Sequence, residues 1–260
     1  MAAARQGSML KTEIINRLGA KYGFTNYLEI CTPTTGIRYG EVDRAQFVAC
    51  TRLMYRWCPE VSDGFRIDYP VEGEAIEAVV ADLLRGGLRY DLILVDPWHG
   101  YESSLRDMRL ALSLLSDGGV LLVHDCSPQS LDLTRPFFIG GCWCGMTYTA
   151  LIDFVAGEPR IEIYTVDTDY GCAVLRKTPP AAVTRAELRP DSTALDGWRG
   201  IGADFVDQYR FFDAHRVKLL NLVTIAEFFD REGLPAPERE PRSLWQRVKT
   251  DVLEMFHLVV

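Results

Sequence analysis

The stretch Leu88-Arg-Tyr-Asp-Leu-Ile-Leu-Val-Asp-Pro-Trp-His-Gly-Tyr101 leads through a run of helical spacing into Asp117-Gly-Gly-Val-Leu-Leu-Val-His-Asp-Cys-Ser127. Two apolar runs, Leu92 to Val95 and Val120 to Val123, each break off in acid and imidazole. The first yields Asp96, Trp98 and His99; the second yields His124 and Asp125. Between them Leu105, Met108, Leu112 and Leu115 recur at helical spacing, and Gly118–Gly119 is expected to stop the helix. A continuous apolar run bounded by turn residues fits a strand covered on both faces. Strand, helix and strand make a right-handed βαβ unit. Its two strand ends then fall on one sheet edge, the edge where open α/β sheets bind ligands. Four titratable side chains from two separate stretches should meet in one cleft.

The flanking sequence extends this pattern. Leu10, Ile14, Ile15 and Leu18 predict a first helix, and Tyr27 to Cys31 a first strand that runs into Thr32-Pro-Thr-Thr-Gly36. Gln46 to Cys50 reads as a short strand, Leu53 to Trp57 as helical, Asp63–Gly64 as a turn, and Phe65 to Asp68 as a strand end. Glu74 to Arg85 predicts a helix that buries Ile76, Val79, Val80, Leu83 and Leu84. Residues 147–155 read as a helix, and 160–166 with 171–175 as a closing hairpin around Asp167-Thr-Asp-Tyr170. Pro179–Pro180 marks a boundary, with helical segments expected near 201–232 and 243–257. The expected architecture is a doubly wound, mostly parallel α/β domain over 1–178. A linker and helical extension over 179–260 would lid the cleft or form a dimer face.

Composition narrows the functional classes. The 260 residues carry a net charge of −8, which speaks against nucleic acid or an anionic membrane as partner. No apolar run reaches the ~20 residues of a membrane span. Met1 to Ser8 lacks the apolar centre of a secretory signal, and seven scattered cysteines suit reduced thiols. A cytoplasmic protein with a small-molecule substrate is the expectation.

The order of segments is similar to that of class I S-adenosylmethionine-dependent methyltransferases. The closer resemblance is to small-molecule O-methyltransferases, carried by Tyr27-Leu-Glu-Ile30, Tyr90 to Tyr101 and Leu115 to Asp125. It spans about residues 9–176. The segments also resemble antibiotic-sugar methyltransferases that bind a divalent metal through an Asp and a later acid–Asp pair. The resemblance implies a Rossmann-like fold, S-adenosylmethionine as cofactor, and methyl transfer to a hydroxyl. It makes Glu29 the residue that orients the cofactor loop. The family's loop glycines are here a single Gly36, so Thr32, Thr34 and Thr35 are the candidate donors beside it. The acid expected after the second strand has no close counterpart, and Asp68 is the candidate; Asp96 completes the cofactor set.

Asp96, His124 and Asp125 could chelate magnesium or manganese, which would lower the acceptor's pKa. They could equally cap helices and tie loops. His99, His124 and Asp96 are the candidate catalytic groups, with His99 the preferred general base, since an imidazole titrates near neutrality. Two rival classes stand beside this reading. One is a catalytically silent scaffold that kept the sheet; the other is a metal-dependent hydrolase.

Overall fold

The computed structural model describes residues 9–60, 64–138, 140–179 and 185–235. Among these, eight strands form one sheet in the order β3-β2-β1-β4-β5-β7-β6-β8. The strands are β1 (Asn26–Cys31), β2 (Ala49–Tyr55), β3 (Tyr69–Val71), β4 (Tyr90–Asp96), β5 (Leu115–Val123), β6 (Ile161–Val166), β7 (Cys172–Lys177) and β8 (Leu222–Val223). Pairings from β3 across to β5 are parallel, β7 runs antiparallel to both β5 and β6, and β8 adds parallel to β6. The doubly wound, mostly parallel expectation holds.

Alternation along the strands sorts the two faces. In β4, Leu92 and Leu94 join Ile14, Ile15 and Leu18 of α1 (Lys11–Tyr22) and Phe228 of α7 (Ile225–Glu232). Ile93 and Val95 point the other way, into a core shared with α2 (Glu77–Arg85), α3 (Tyr101–Leu114), α4 (Thr147–Gly157), α5 (Ser192–Arg199) and α6 (Phe205–Leu220). All four are essentially inaccessible, and each such side chain contributes roughly 1.5–3 kcal/mol.

Three local readings change. Leu53 to Tyr55 belongs to strand β2, not a helix, because Ile30 and Cys31 of β1 pair with Leu53 and Met54 while Tyr69 to Val71 pair on the other side. The third strand starts at Tyr69, after the expected Phe65–Asp68. Helix α3 stops at Leu114, and Leu115 already pairs with Tyr90; Gly118, at φ +80°, turns the chain inside the irregular start of β5. Asp63 of the expected turn and the expected 243–257 helix lie outside the described residues.

Beyond residue 179 the described chain adds to the same core. Leu195, Trp198, Phe212 and Leu220 pack on one face, Phe228 and Phe229 on the other, and β8 extends the sheet. Among the described residues, none from 185–235 lines the cleft at the strand ends, so this segment buttresses the sheet and does not roof that cleft. No helix of the described residues is long and apolar enough to cross a membrane.

Candidate active site

Parallel pairing sets the position of the site. Val95 lies beside Val123, and the His124 N–H donates to the Val95 carbonyl (3.1 Å), so Asp96 and His124 leave the sheet side by side. His99 sits on the turn before α3, and the Met146 N–H donates to its carbonyl at 2.7 Å. The expected convergence is present. His99 Nε2 lies 2.9 Å from Asp125 Oδ2 and 3.8 Å from Asp96 Oδ1. His124 Nδ1 lies 3.0 Å from Asp125 Oδ2 and 3.3 Å from Asp96 Oδ1. All four residues are buried at the floor of a cleft of about 390 Å³.

Two further residues join them that the sequence reading did not single out. Asp169, in the β6–β7 turn, comes within 3.3 Å of His124 Nε2. Lys11, the first residue of α1, pairs its ammonium with Asp96 Oδ2 and also reaches the Thr35 carbonyl (3.3 Å). Asp125, Asp169 and Tyr170 all have left-handed backbone, with φ of 59°, 47° and 59°. Such conformations cost free energy and concentrate at functional sites. They let the β6–β7 turn fold over the end of β5, where the Ser127 N–H donates to the Tyr170 carbonyl (2.7 Å).

The electrostatics follow from these contacts. Burial opposes charge on His99, but the Asp125 carboxylate outweighs it and lifts the imidazole to about 9. His124 is raised well above its ordinary value by the same contest, with Asp125 and Asp96 as its partners. Asp96 is held well below the carboxylate range: burial pushes it up, but Lys11 and His124 pull harder. At neutral pH three carboxylates therefore face three cations. His99, expected as a ready base, rests protonated.

The candidate cofactor residues divide into two groups. Thr34, Thr35 and Asp96 line the cleft. Thr35 donates its hydroxyl to the Asp96 carbonyl (2.6 Å), and Thr32 shares hydroxyl contacts with Thr34 and Thr35, each 3.1 Å. The amides of Thr35 and Gly36 both turn inward to the Thr32 carbonyl (3.2 and 2.9 Å). Glu29 is buried behind the loop, with the Tyr27 hydroxyl at 3.0 Å and Arg52 Nε at 3.7 Å. Gly36 is small because a Cβ there would come within 2.6 Å of Cys31 Sγ and 2.9 Å of Arg52 Nη2. Asp68 accepts the Arg52 N–H (2.9 Å) beside the middle of β2 and is not among the residues that line the cleft. At the end of β2 stands Arg56, its guanidinium 4.0 Å from the Trp98 ring centre.

The mouth of the cleft is aromatic. Trp98, Phe138 and Trp143 lie mutually 5.3–5.6 Å apart, and Trp143 stands 5.4 Å from the His99 ring. The neighbouring thiols are free; Cys144 is buried with its Sγ 3.4 Å from Asp125, and Cys142 is exposed.

A family model described as a methyltransferase domain matches residues 53–126. Among solved structures, an O-methyltransferase from Bacillus cereus in complex with SAH is similar at 15% identity and TM-score 0.48, over 68% of this chain and 84% of that one. The Podospora anserina methyltransferase PaMTH1, SAH-bound, gives 18% and 0.45 over 66% and 80%. The O-methyltransferase TomG from Streptomyces achromogenes, in complex with SAM, gives 14% and 0.47 over 65% and 79%. No curated protein matches the sequence. The family match covers the stretch from the middle of β2 to just past the end of β5. The mixed sheet, with β7 antiparallel beside β5, is of the Rossmann-like type.

Proposed function

We propose that this protein transfers a methyl group from S-adenosylmethionine to a hydroxyl oxygen of a small molecule held in the cleft at the ends of β4 and β5. The observation that carries this reading is the convergence of Asp96, His99, His124 and Asp125 on one cleft of a methyltransferase fold. The donor set suits the cofactor's amino-acid end. The Thr34 hydroxyl matches a carboxylate, and the Asp125 and Asp169 carboxylates match cationic groups. When bound, S-adenosylmethionine supplies an electrophilic methyl on a positively charged sulfur.

The chain's residues then have distinct tasks. His99 takes the acceptor's proton. His124 is the poorer candidate, because Nδ1 faces Asp96 and Asp125 while Nε2 faces Asp169. Asp125, beside both rings, holds His99 in position and stabilises it once protonated. Since His99 rests protonated at neutral pH, its working form grows as pH rises toward about 9. Trp98 and Trp143 wall the acceptor's side and limit water. Metal assistance has a candidate ligand set in Asp96, His124 and Asp125, whose ligand atoms lie within 4.8 Å of one another. Asp96 is already paired with Lys11, so the reaction proposed here uses no metal.

One specific observation favours a second reading, a silent binding protein. The loop amides of Thr35 and Gly36 are spent on Thr32, and Arg56 stands at the strand end where a ribose-holding acid is expected. Calorimetric titration with S-adenosylmethionine separates the two, followed by mass spectrometry of a hydroxyl-bearing acceptor panel. Saturable binding and a gain of one methyl on oxygen support the enzyme; no binding at millimolar cofactor sinks it.

A further inference from the structure

Asp96, His124 and Asp125 at the strand ends have ligand atoms within 4.8 Å of one another, the spacing of a divalent-metal site, yet a side chain of the same chain reaches Asp96 first. Asp96 Oδ2 pairs with the Lys11 ammonium, and Oδ1 lies 3.3 Å from His124 Nδ1. Both carboxylate oxygens are therefore engaged. Asp125 Oδ2 faces His99 and His124, and Asp169 Oδ2 faces His124 Nε2 and accepts the Lys11 N–H at 2.9 Å. A divalent ion would need Asp96 released and an imidazole nitrogen bare.

Lys11 is also fixed where it stands. Its backbone is tied to Asp169, and the preceding Met9 exchanges two hydrogen bonds with the Thr168 hydroxyl, at 3.0 and 2.7 Å. The side chain is almost wholly buried, and its second contact is the Thr35 carbonyl. Helix α1 begins at this lysine, and a cation at a helix N-terminus opposes the helix dipole. A buried ammonium in that position is uncompensated unless an anion meets it, and Asp96 is that anion.

We infer that the Lys11 ammonium is the resident cation of this site, standing against Asp96 where a divalent ion would otherwise bind, so that it keeps divalent metals out of the set formed by Asp96, His124 and Asp125. Three carboxylates are then balanced by one ammonium and two imidazoles with no ion recruited from solution. Lys11 acts as a positioning residue: it fixes Asp96, and with it the loop after β1 and the β6–β7 turn, in one arrangement. The inference concerns the cleft of the proposed reaction, but it is read out by metal binding and so stands or falls independently of methyl transfer.

The test is manganese titration of the full chain, followed by the paramagnetic resonance signal of free ion. Wild-type protein is expected to leave that signal undiminished up to millimolar manganese. Lys11→Met, which keeps most of the aliphatic stem, and Lys11→Ala are expected to bind one ion per chain. Their affinity should be tighter than wild type by on the order of a hundredfold, the scale set by a buried carboxylate left without its partner. Adding Asp96→Asn to Lys11→Met should abolish that gain. A stoichiometric manganese site in the wild type overturns the inference, whatever the variants do. Folded Lys11 variants, checked by circular dichroism, that gain no site overturn it too. Should both variants unfold, the wild-type titration decides together with the melting temperature. No uptake and a melt unmoved by chelator or magnesium support the inference; a melt raised by magnesium overturns it.

Discussion

The imidazole of His99 and the carboxylate of Asp125, which come from the ends of two neighbouring strands, meet at 2.9 Å in a buried cluster. This contact, with Asp96 alongside, lifts His99 from 6.5 to about 9 against the opposing effect of burial. A raised folded-state value means that the stabilisation is complete below the unfolded value and is lost as pH climbs through the folded one. Between pH 6.5 and about 9 the protein should lose stability on the order of 3 kcal/mol from this group. His124 acts in the same direction. Urea unfolding at a series of pH values checks this. The slope should shrink in His99→Gln, and a flat wild-type profile across the window contradicts it.

If His99 removes the acceptor's proton, His99→Gln lowers kcat by roughly 10²- to 10⁴-fold. Cofactor affinity measured by calorimetry should hardly change. Wild-type kcat/KM should climb with pH and level off near the His99 value. A variant with undiminished turnover removes the assignment.

Gly145 has φ +55°, and a Cβ there would run into the His99 carbonyl and lie 2.8 Å from its Cβ. Gly145→Ala should therefore push His99 away from Asp125 and strain the backbone, at a cost of about 1–3 kcal/mol. Thermal denaturation gives the cost. The His99 ring resonance, followed by NMR titration, should move back toward an ordinary histidine; an unmoved titration rules the displacement out.

Glu232, buried at the end of α7, accepts from the Tyr22 hydroxyl (2.6 Å), from Arg176 (2.9 Å) and from the Tyr164 hydroxyl. One carboxylate thus ties the last described helix to α1, β6 and β7. Glu232→Ala leaves the mostly buried Arg176 without its anion and should destabilise the fold by about 3 kcal/mol in urea unfolding. A loss no larger than that of an exposed surface substitution counts against this role.

Much of the fold was readable because β4 and β5 each contain an uninterrupted apolar run, Leu92–Val95 and Val120–Val123, followed by acid or imidazole at the sheet edge. Their parallel alignment then placed Asp96, His99, His124 and Asp125 together. Strand β2 was hidden by Arg52, a fully buried cation inside the strand, which left Leu53, Met54 and Trp57 looking helical. Arg52 is tolerated because its guanidinium reaches Glu29 and the Gly36 carbonyl, contacts that local pattern does not encode. Lys11 and Asp169 escaped for a related reason. Each looks like an ordinary helix-start or turn residue, and each matters through a partner distant in sequence. Gly36 was legible only as a loop glycine beside a candidate cofactor site; in the structure its lack of a side chain makes room for Arg52 and Cys31.

Among the described residues, both margins of the sheet are poor templates for another chain. At one, β3 has three residues with Pro70 at its centre, which offers no N–H; at the other, β8 has two. Self-association by strand addition, whether into dimers or into fibres, thus finds little to grip. Among the described residues, the surfaces left for copies of this molecule to meet through are helices and loops.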